Sequence, residues 1–255
     1  MLTSQKSGAS ALGLQRVLGL GSYHTAWTML HRYRRAMVVP ERGLLTGEVE
    51  VDETFIGGKN KPGKRGRSPG GKIIVALAVE LNPSGRGFGR VRMAVIPDAS
   101  GPTLRAFITA NIAPGSTVVT DAWTFYPAIV KDGFEHKPIN VKRSGQHAHE
   151  VLPGVHRVAS LLKRWLNGTL QGRVAPNHLQ AYLDEFVFRF NRRHAAQRGL
   201  LFYRLLEQAV RTPPVTYHEL VAVPRPKTVM PIPPGKRQKP GSLAIEPLDR
   251  PWRAS

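Results

Sequence analysis

The sequence predicts a mixed α/β fold, in which a meander of three strands is followed by alternating helices and strands. Apolar and acidic residues alternate with a period of two in EVEVDETFI, as in a half-buried strand. Two further apolar runs, KIIVALAVE and VRMAVI, are separated by the turn-forming segment LNPSGRGFG. Shorter apolar runs then alternate with helix-length segments, and this order is typical of a mixed sheet flanked by helices.

The composition favours a globular protein that binds nucleic acid. The chain has 255 residues, of which 41% are apolar, and this is enough to bury a sizeable core. Its 37 basic and 17 acidic residues give a net charge of +20, which favours a polyanionic partner. An anionic membrane is the weaker alternative, because the sequence has neither a spanning apolar run nor a signal-peptide pattern. The lack of cysteine excludes disulfides and cysteine zinc sites and is compatible with the cytoplasm.

Residues 1–40 are predicted to form a small helical DNA-binding region. Apolar residues recur at helical spacing over Ala9–Leu18, GLGS breaks the pattern, and a second helix covers Tyr23–Met37 with Ser22 as its N-cap. Two short helices joined by a glycine turn, the second of them basic, are typical of a helix-turn-helix that enters a major groove. The alternative is a helical hairpin with a solvated charged face. The candidate phosphate contacts here are Arg32, Arg34 and Arg35.

Residues 46–210 are predicted to form the main domain, in which the first and fourth strands can be neighbours. Its predicted strands are Glu48–Ile56, Lys72–Glu80, Arg90–Ile96, Ser116–Thr120 and His136–Val141. Its predicted helices are Ser100–Ile112 with Ser100 as the cap, Ala122–Val130, Gly154–Gly168, Asn177–His194 and Leu201–Val210.

Two segments are predicted to remain unpacked. Residues 57–72 hold six basic residues, six glycines and no acid, which indicates a mobile loop. Residues 211–255 form a proline-rich basic tail without periodicity, which indicates an extended or disordered segment. The loop and the basic helix residues are candidate phosphate contacts that carry no sequence information. They are Lys59, Lys61, Lys64, Arg65, Arg67, Lys72, Arg157, Lys163, Arg164, Arg192, Arg193 and Arg198.

Two strands each carry an aspartate where a metal site can form. The alternation that buries Val49 and Val51 places Asp52 on the opposite face of its strand, and Asp121 follows the fourth strand. Phosphodiester chemistry needs a strong nucleophile and relief of charge on the leaving oxygen, and divalent cations held by carboxylates from separate elements supply both. Either aspartate alone could equally be an exposed turn carboxylate. His156, 35 positions after Asp121, begins a helix that can converge on the same site.

Four motifs resemble the core of bacterial insertion-sequence transposases of the ISXO-like type. They are VDETFIGG, TDAWTFY, HRVASLLKRWLNGTLQG and HLQAYLDEFVFRFNRR, and the resemblance covers roughly residues 9–210. It implies an RNase H-like, integrase-related DDE fold that cleaves and joins DNA strands at element ends. It also implies two Mg²⁺ or Mn²⁺ ions per site, double-stranded element and target DNA as partners, a dimer or larger homo-oligomer, and a cytoplasmic, nucleoid-associated location.

The resemblance makes Asp52 and Asp121 the first two acidic ligands, puts His156 at the third position, and makes Lys163 the basic residue seven positions later. The third residue of the family is usually Glu and sometimes Asn. Mg²⁺ prefers oxygen ligands, whereas imidazole suits Mn²⁺ better. His156 could therefore bind a metal, position the attacking water or 3′-hydroxyl, contact a phosphate or mark an inactive site. Lys163 would contact DNA near the scissile phosphate.

Other residues compete for these roles. Glu185 or Asp184 could supply a third acid, although an ion pair with Arg189 accounts for Glu185 more simply. A compact group could bind zinc, namely His147, His149 and Glu150.

The leading function is that of a DNA transposase, and two alternatives stay open. A catalytically inactive remnant that only binds DNA is favoured by His156 and by the lack of the zinc ribbon that precedes the helices in related transposases, which indicates a lost or truncated module. A basic RNA-binding or ribosome-associated protein accounts for the charge and the tail, but it leaves the paired aspartates unexplained.

Overall fold

The computed structural model describes residues 3, 8–39, 42–57, 72–84, 87–121, 130–139, 145, 148–172 and 174–222. Within these ranges the strands form one sheet from β1 (Glu48–Ile56), β2 (Ile73–Leu81), β3 (Phe88–Ile96), β4 (Thr117–Asp121) and β5 (Glu135–Ile139). The strand order is β3-β2-β1-β4-β5, with the first three strands antiparallel and the β1, β4 and β5 pairings parallel. The predicted mixed, RNase H-like sheet is confirmed, and β1 and β4 are neighbours.

Helices pack on both faces of this sheet. Those of the described residues are α1 (Ala11–Leu18), α2 (Tyr23–Ala36), α3 (Gly101–Asn111), α4 (Ala148–Val151), α5 (Pro153–Leu170), α6 (Leu179–Asn191, after a 3₁₀ turn at Pro176–His178), α7 (Arg198–Arg211) and α8 (Tyr217–Val221). The predicted helix at 122–130 and the predicted loop at 57–72 lie almost entirely outside the described residues. Among the described helices, none is both long and apolar enough to cross a bilayer.

Two hydrophobic clusters hold the sheet between its helices. Val49 and Val51 of β1 point into the cluster that packs against α3. The opposite face of the sheet packs against α5 and α6, through residues such as Leu77 and Val119. Because side chains alternate along a strand, Glu50 and Asp52 lie on the α5 side, as the sequence pattern predicts.

The edge strand β3 is closed by polar side chains of α6. Asn191 accepts a hydrogen bond of 2.7 Å from the N–H of Val91 and donates one of 3.1 Å to its carbonyl. Gln180 accepts one of 2.9 Å from the N–H of Val95. These bonds take the place of a neighbouring strand, so this edge cannot pair readily with another chain.

The two N-terminal helices pack against the main domain. The helix α1 ends at Gly19, whose φ of 62° lets the N–H of Leu20 bond to the carbonyl of Gln15. Both helices share a cluster with Phe188 of α6 and Leu205 of α7. The exposed polar residues of α2 are therefore few, and they include His24, Arg32 and Arg35. Whether this strip reads a major groove stays a prediction.

The structure corrects three local expectations. Ser22 and Ser100 precede α2 and α3, but neither side chain makes a capping hydrogen bond; the hydroxyl of Ser100 donates to Thr103 instead. The expectation of an extended tail is wrong at residues 217–221. A capping box between Thr216 and Glu219 starts α8 there, and Leu220 is buried. A helix of five residues is too short to show periodicity in the sequence.

Candidate active site

Asp52 and Asp121 lie on neighbouring parallel strands and share one face of the sheet. The register between β1 and β4 pairs Glu50 with Val119, and two residues further along both strands are Asp52 and Asp121. Val119 belongs to the cluster under α5, so Asp121 faces the same side. Because neighbouring strands are about 4.8 Å apart, the two carboxylates can serve one site.

A buried carboxylate fixes the start of α5 against β1. Glu50 is 2% exposed and accepts hydrogen bonds from the N–H groups of Gly154 and Val155, the latter at 2.9 Å. These groups belong to the first turn of a helix that lacks a side-chain cap of its own. A Cβ at Gly154 would lie 2.8 Å from Glu50 Oε2 and 3.2 Å from Phe88, so the contact requires glycine. Burial raises the pKa of Glu50, and the two N–H groups oppose that rise.

This anchor places His156 across a cleft from Asp52. The distance from His156 Nε2 to Asp52 Oδ2 is 3.9 Å, which is too long for a hydrogen bond. The other oxygen of Asp52, Oδ1, accepts a hydrogen bond of 2.8 Å from the N–H of Glu53. Lys163 lies about two helical turns beyond His156 and lines the same cleft, which has a volume of ≈ 360 Å³. The structure therefore brings three of the predicted site residues to one cleft.

The residue types on this face of the sheet suit a divalent cation. Two carboxylates on one face suit a hard cation such as Mg²⁺, and the imidazole beside Asp52 suits Mn²⁺ better. Among the residues that the structure describes, no group of three or more His, Asp or Glu side chains is close enough to hold a metal ion. Asp52, Asp121 and His156 therefore do not form a close three-residue ligand group in the structure, and their role as metal ligands stays a prediction.

The predicted DNA contacts divide by their exposure. Those that are exposed are Arg32, Arg35, Arg157, Lys163 and Arg164, and those that are partly buried are Lys72, Arg192 and Arg193. Five loop residues and one side chain lie outside the described part of the chain, namely Lys59, Lys61, Lys64, Arg65 and Arg67, and the side chain of Arg198. Arg157, Lys163 and Arg164 share α5, so the helix that bears His156 also carries an exposed basic surface.

Arg34 is not on the surface, and its predicted phosphate contact is wrong. Its side chain is 3% exposed, and Nε donates a hydrogen bond of 2.8 Å to Glu185 Oε2. The guanidinium carbon also lies 4.5 Å from the centre of the Tyr182 ring. Helical periodicity had placed Arg34 outside the apolar stripe, but packing against α6 on a second side buries it.

The competing acids do not line the cleft. Glu185 is completely buried and pairs with Arg34, while the predicted contact with Arg189 is present at a longer distance of 4.0 Å. Asp184 lines a different cavity, between α2, β3 and α6. The side chains of His147 and His149 lie outside the described residues, so the zinc alternative stays a prediction.

Sequence reasoning gave no role to Glu50 or Gly154. The signal for Glu50 was present: an acidic residue lies two positions before Asp52, on the face of the strand that points to the main core. A glycine in the first turn of the following helix is the matching signal, because glycine allows the close approach of another group.

The fold and the cleft define the class of this protein. A five-stranded mixed sheet carries Asp52 and Asp121 on adjacent parallel strands, beneath a helix with a histidine and a lysine. This is an RNase H-like protein of the DDE type. The chain belongs to the family of the ISXO2-like transposase domain, which matches residues 44–191. Membership assigns it a transposase role in DNA transposition and recombination, in a family that uses divalent metal ions.

Comparisons beyond the family are sparse. No curated protein matches the sequence. Among solved structures, the chain is similar to a chain in the cryo-EM structure of a simian T-cell lymphotropic virus intasome in complex with PP2A regulatory subunit B56 gamma. The identity is 17%, the match covers 96% of this chain and 86% of that chain, and the TM-score is 0.40.

Proposed function

We propose that this chain cleaves DNA strands at insertion-sequence ends and joins them to target DNA in a metal-dependent reaction. The observation that carries the proposal is the register of β1 and β4, from which Asp52 and Asp121 are inferred to face one site. Family membership supports the same reaction class. In the proposal these two residues, with His156 as a further donor, hold Mg²⁺ or Mn²⁺, two ions per site. Ions bound there supply a nucleophile at neutral pH and relieve charge on the leaving oxygen.

The residues around the aspartates orient the DNA. The N–H of Glu53 restrains Asp52 through Oδ1 and leaves Oδ2 directed towards His156. His156 either completes the ligand set or positions the attacking water or 3′-hydroxyl. Lys163, further along the same helix, donates to a phosphate oxygen near the scissile bond.

The exposed basic residues extend this binding surface. Arg157 and Arg164 on α5 and Arg32 and Arg35 on α2 are placed to contact phosphates, which position DNA without reading its sequence. The N-terminal helix pair is the proposed source of selectivity for element ends. The working form is proposed to be a dimer or larger assembly on double-stranded DNA, in the cytoplasm with the nucleoid.

A strand-cleavage assay tests the proposal. The substrates are oligonucleotides that carry the element ends, taken from the DNA on either side of the gene, with Mg²⁺ or Mn²⁺ added. We expect D52N and D121N to abolish cleavage and strand transfer, while their thermal unfolding stays close to that of the wild type. D98N is the matched control, because Asp98 is exposed before α3 and undergoes the same chemical change. If both D52N and D121N still cleave and transfer DNA strands, the proposed mechanism is wrong.

A second candidate is a protein that binds element ends without cleaving them. It is favoured by the imidazole of His156 where the family usually has a carboxylate, and by the lack of a three-residue metal group among the described side chains. Titration with Mg²⁺, Mn²⁺ and chelator separates the two. A binding protein would hold element-end DNA equally well in chelator and would produce no nicks with any cation.

A further inference from the structure

A cavity at the β3 edge of the sheet is lined by four arginines. They are Arg42, Arg90, Arg92 and Arg192, and the cavity has a volume of ≈ 260 Å³. It lies between the end of α2, the segment that leads to β1, the strand β3 and the helix α6. None of the first three arginines was predicted to contact DNA, whereas Arg192 was predicted as a phosphate contact among the basic helix residues.

The positive charge around this cavity exceeds the negative charge. Arg90 pairs with Glu80, with Nη2–Oε1 and Nε–Oε2 distances of 2.7 and 3.0 Å. Burial opposes the ionisation of Glu80, but hydrogen bonds from Arg90 and the N–H of Thr46 outweigh it and lower its pKa to about 2. Asp184 is the only acid among the described lining residues. Among the residues that the structure describes, four guanidinium groups against two carboxylates leave an excess of two positive charges.

The fold holds these arginines in place despite their mutual repulsion. Arg92 is 4% exposed and donates to the carbonyls of Gly43 and Val91 at 2.7 and 3.0 Å. Burial, followed by the charges of Arg42 and Arg90, lowers its pKa to about 10. Carbonyl partners stabilise the guanidinium but do not neutralise it. The net positive charge of the cluster therefore remains uncompensated, and the binding of an anion would be favourable.

Two of the arginines can reach an incoming ligand. Arg42 is exposed, and its guanidinium donates no hydrogen bond to another described residue. Arg192 is partly buried, and its guanidinium carbon lies 4.1 Å from the centre of the Phe188 ring. Its Nη1 donates a long hydrogen bond of 3.4 Å to the carbonyl of Phe188. A planar guanidinium group can donate two parallel hydrogen bonds to two oxygens of one phosphate. Phosphate is therefore the anion whose geometry best matches these arginines.

We propose that this arginine cavity binds a backbone phosphate of duplex DNA, as an anchoring point separate from the cleft at Asp52. The inference rests on the proposed function. In the register of the sheet Val51 pairs with Ala78 and Ala78 with Arg92, so Arg92 lies on the α3 face, opposite to Asp52, and the cavity at the β3 edge is a site of its own. A phosphate held there lies outside the cleft, so its loss can be measured as a change in DNA affinity without altering the residues around Asp52.

The test measures DNA affinity in chelator, where no cleavage occurs. The affinity of the full chain for duplex element-end DNA is followed by fluorescence anisotropy over a series of NaCl concentrations. We expect R42Q and R192Q each to lower the slope of log affinity against log salt by about 0.9, the value for one lost phosphate contact. R105Q, at an exposed arginine on α3 outside both the cavity and the proposed DNA surface, is the matched control and should change the slope less.

A substitution at Asp184, in the same cavity, should change DNA affinity in the opposite direction. D184N removes the negative charge and keeps an oxygen that can accept the hydrogen bond from Gln180. It should tighten DNA binding, whereas a variant that merely disturbs the cavity would weaken it. Circular dichroism on each variant checks that the fold is retained.

The outcomes separate this inference from the proposed function. If R42Q and R192Q bind like R105Q while the wild type binds DNA with a steep salt dependence, the cavity inference is wrong and the proposed function stands. If the wild type does not bind DNA, both fail. If sodium phosphate raises the melting temperature more than sodium chloride at equal ionic strength, and R42Q and R192Q remove that effect without changing DNA binding, the cavity takes a free anion and the DNA assignment is overturned.

Discussion

Arg34 of α2 and Glu185 of α6 form an ion pair at 2.8 Å between side chains that are 3% and 0% exposed. The two residues are 151 positions apart in the chain, so the pair joins the N-terminal helices to the main domain. Arg34 also lies over the ring of Tyr182, and Arg189 approaches the second oxygen of Glu185 at 4.0 Å. The N-terminal region is therefore fixed to the helix that closes the edge of the sheet.

Removal of Arg34 should destabilise the whole chain. R34M leaves the Glu185 carboxylate buried, with Arg189 at 4.0 Å as its remaining cation among the described residues, and the loss of one partner of a buried pair costs about 3–5 kcal/mol. The double variant R34M/E185L should lose less than R34M, because it leaves no uncompensated charge. The free energy of unfolding from urea titration measures both. R35Q, at the exposed neighbour, should stay within about 0.5 kcal/mol of the wild type, and an R34M value in that range would contradict the prediction.

Two glycines of α5 should respond in opposite directions to alanine. At Gly154 the new Cβ would lie 2.8 Å from Glu50 Oε2, so G154A must shift the helix or the carboxylate and should cost about 1–3 kcal/mol. At Gly168 no atom lies within 4 Å of the new Cβ, and G168A should stabilise the chain by about 0.5–1 kcal/mol. Thermal and urea unfolding of the two variants give the comparison. Equal effects would show that the Glu50 contact does not restrict this position.

The sequence predicted the sheet well, because strand patterns and their order are local properties. β1 was predicted with its observed bounds, and the alternation in EVEVDETFI assigned Asp52 to its face before any contact was known. The partners of Arg34 and Glu50 were missed, since each lies on an element more than 100 positions away; for Glu50 the sequence indicated its face of the strand and a glycine that allows close approach, but not that the two meet. Helical periodicity describes one buried face, whereas α2 is covered on several sides by α1, α6 and α7.

Acidification should destabilise the protein through His31. This residue is 2% exposed, and burial, followed by the charge of Arg34, lowers its pKa to about 3. The unfolded chain, with a pKa of 6.5, binds the proton more readily, so the contribution to stability is complete above pH 6.5 and is lost as the pH falls towards 3. Between pH 6.5 and 5 the loss should be about 2 kcal/mol. Urea unfolding at several pH values measures it.

The control for this prediction lies on the same helix. H31Q removes the titrating ring and should flatten the dependence of stability on pH, although it also loses the ring contact with Trp27 and so lowers stability at every pH. H24Q changes an exposed histidine of α2 and should leave the wild-type dependence intact. If H31Q retains the full slope, another group controls it, and His178, whose pKa is also lowered by burial, is the next to change.

A carboxylate at position 156 should change the metal preference of the site. In the wild type, His156 Nε2 lies 3.9 Å from Asp52 Oδ2. A glutamate at position 156 would place a carboxylate oxygen near Asp52 instead, and oxygen donors favour Mg²⁺. Without metal, the added negative charge repels Asp52, so the melting temperature of H156E should fall and should recover on addition of Mg²⁺. The ratio of Mg²⁺ to Mn²⁺ affinity, measured by calorimetry, should rise by about tenfold or more. S160E, which places the same charge one turn further along α5 in the same cleft, is the control. An equal rise in S160E would mean that the charge of the cleft, rather than a ligand at position 156, determines the preference.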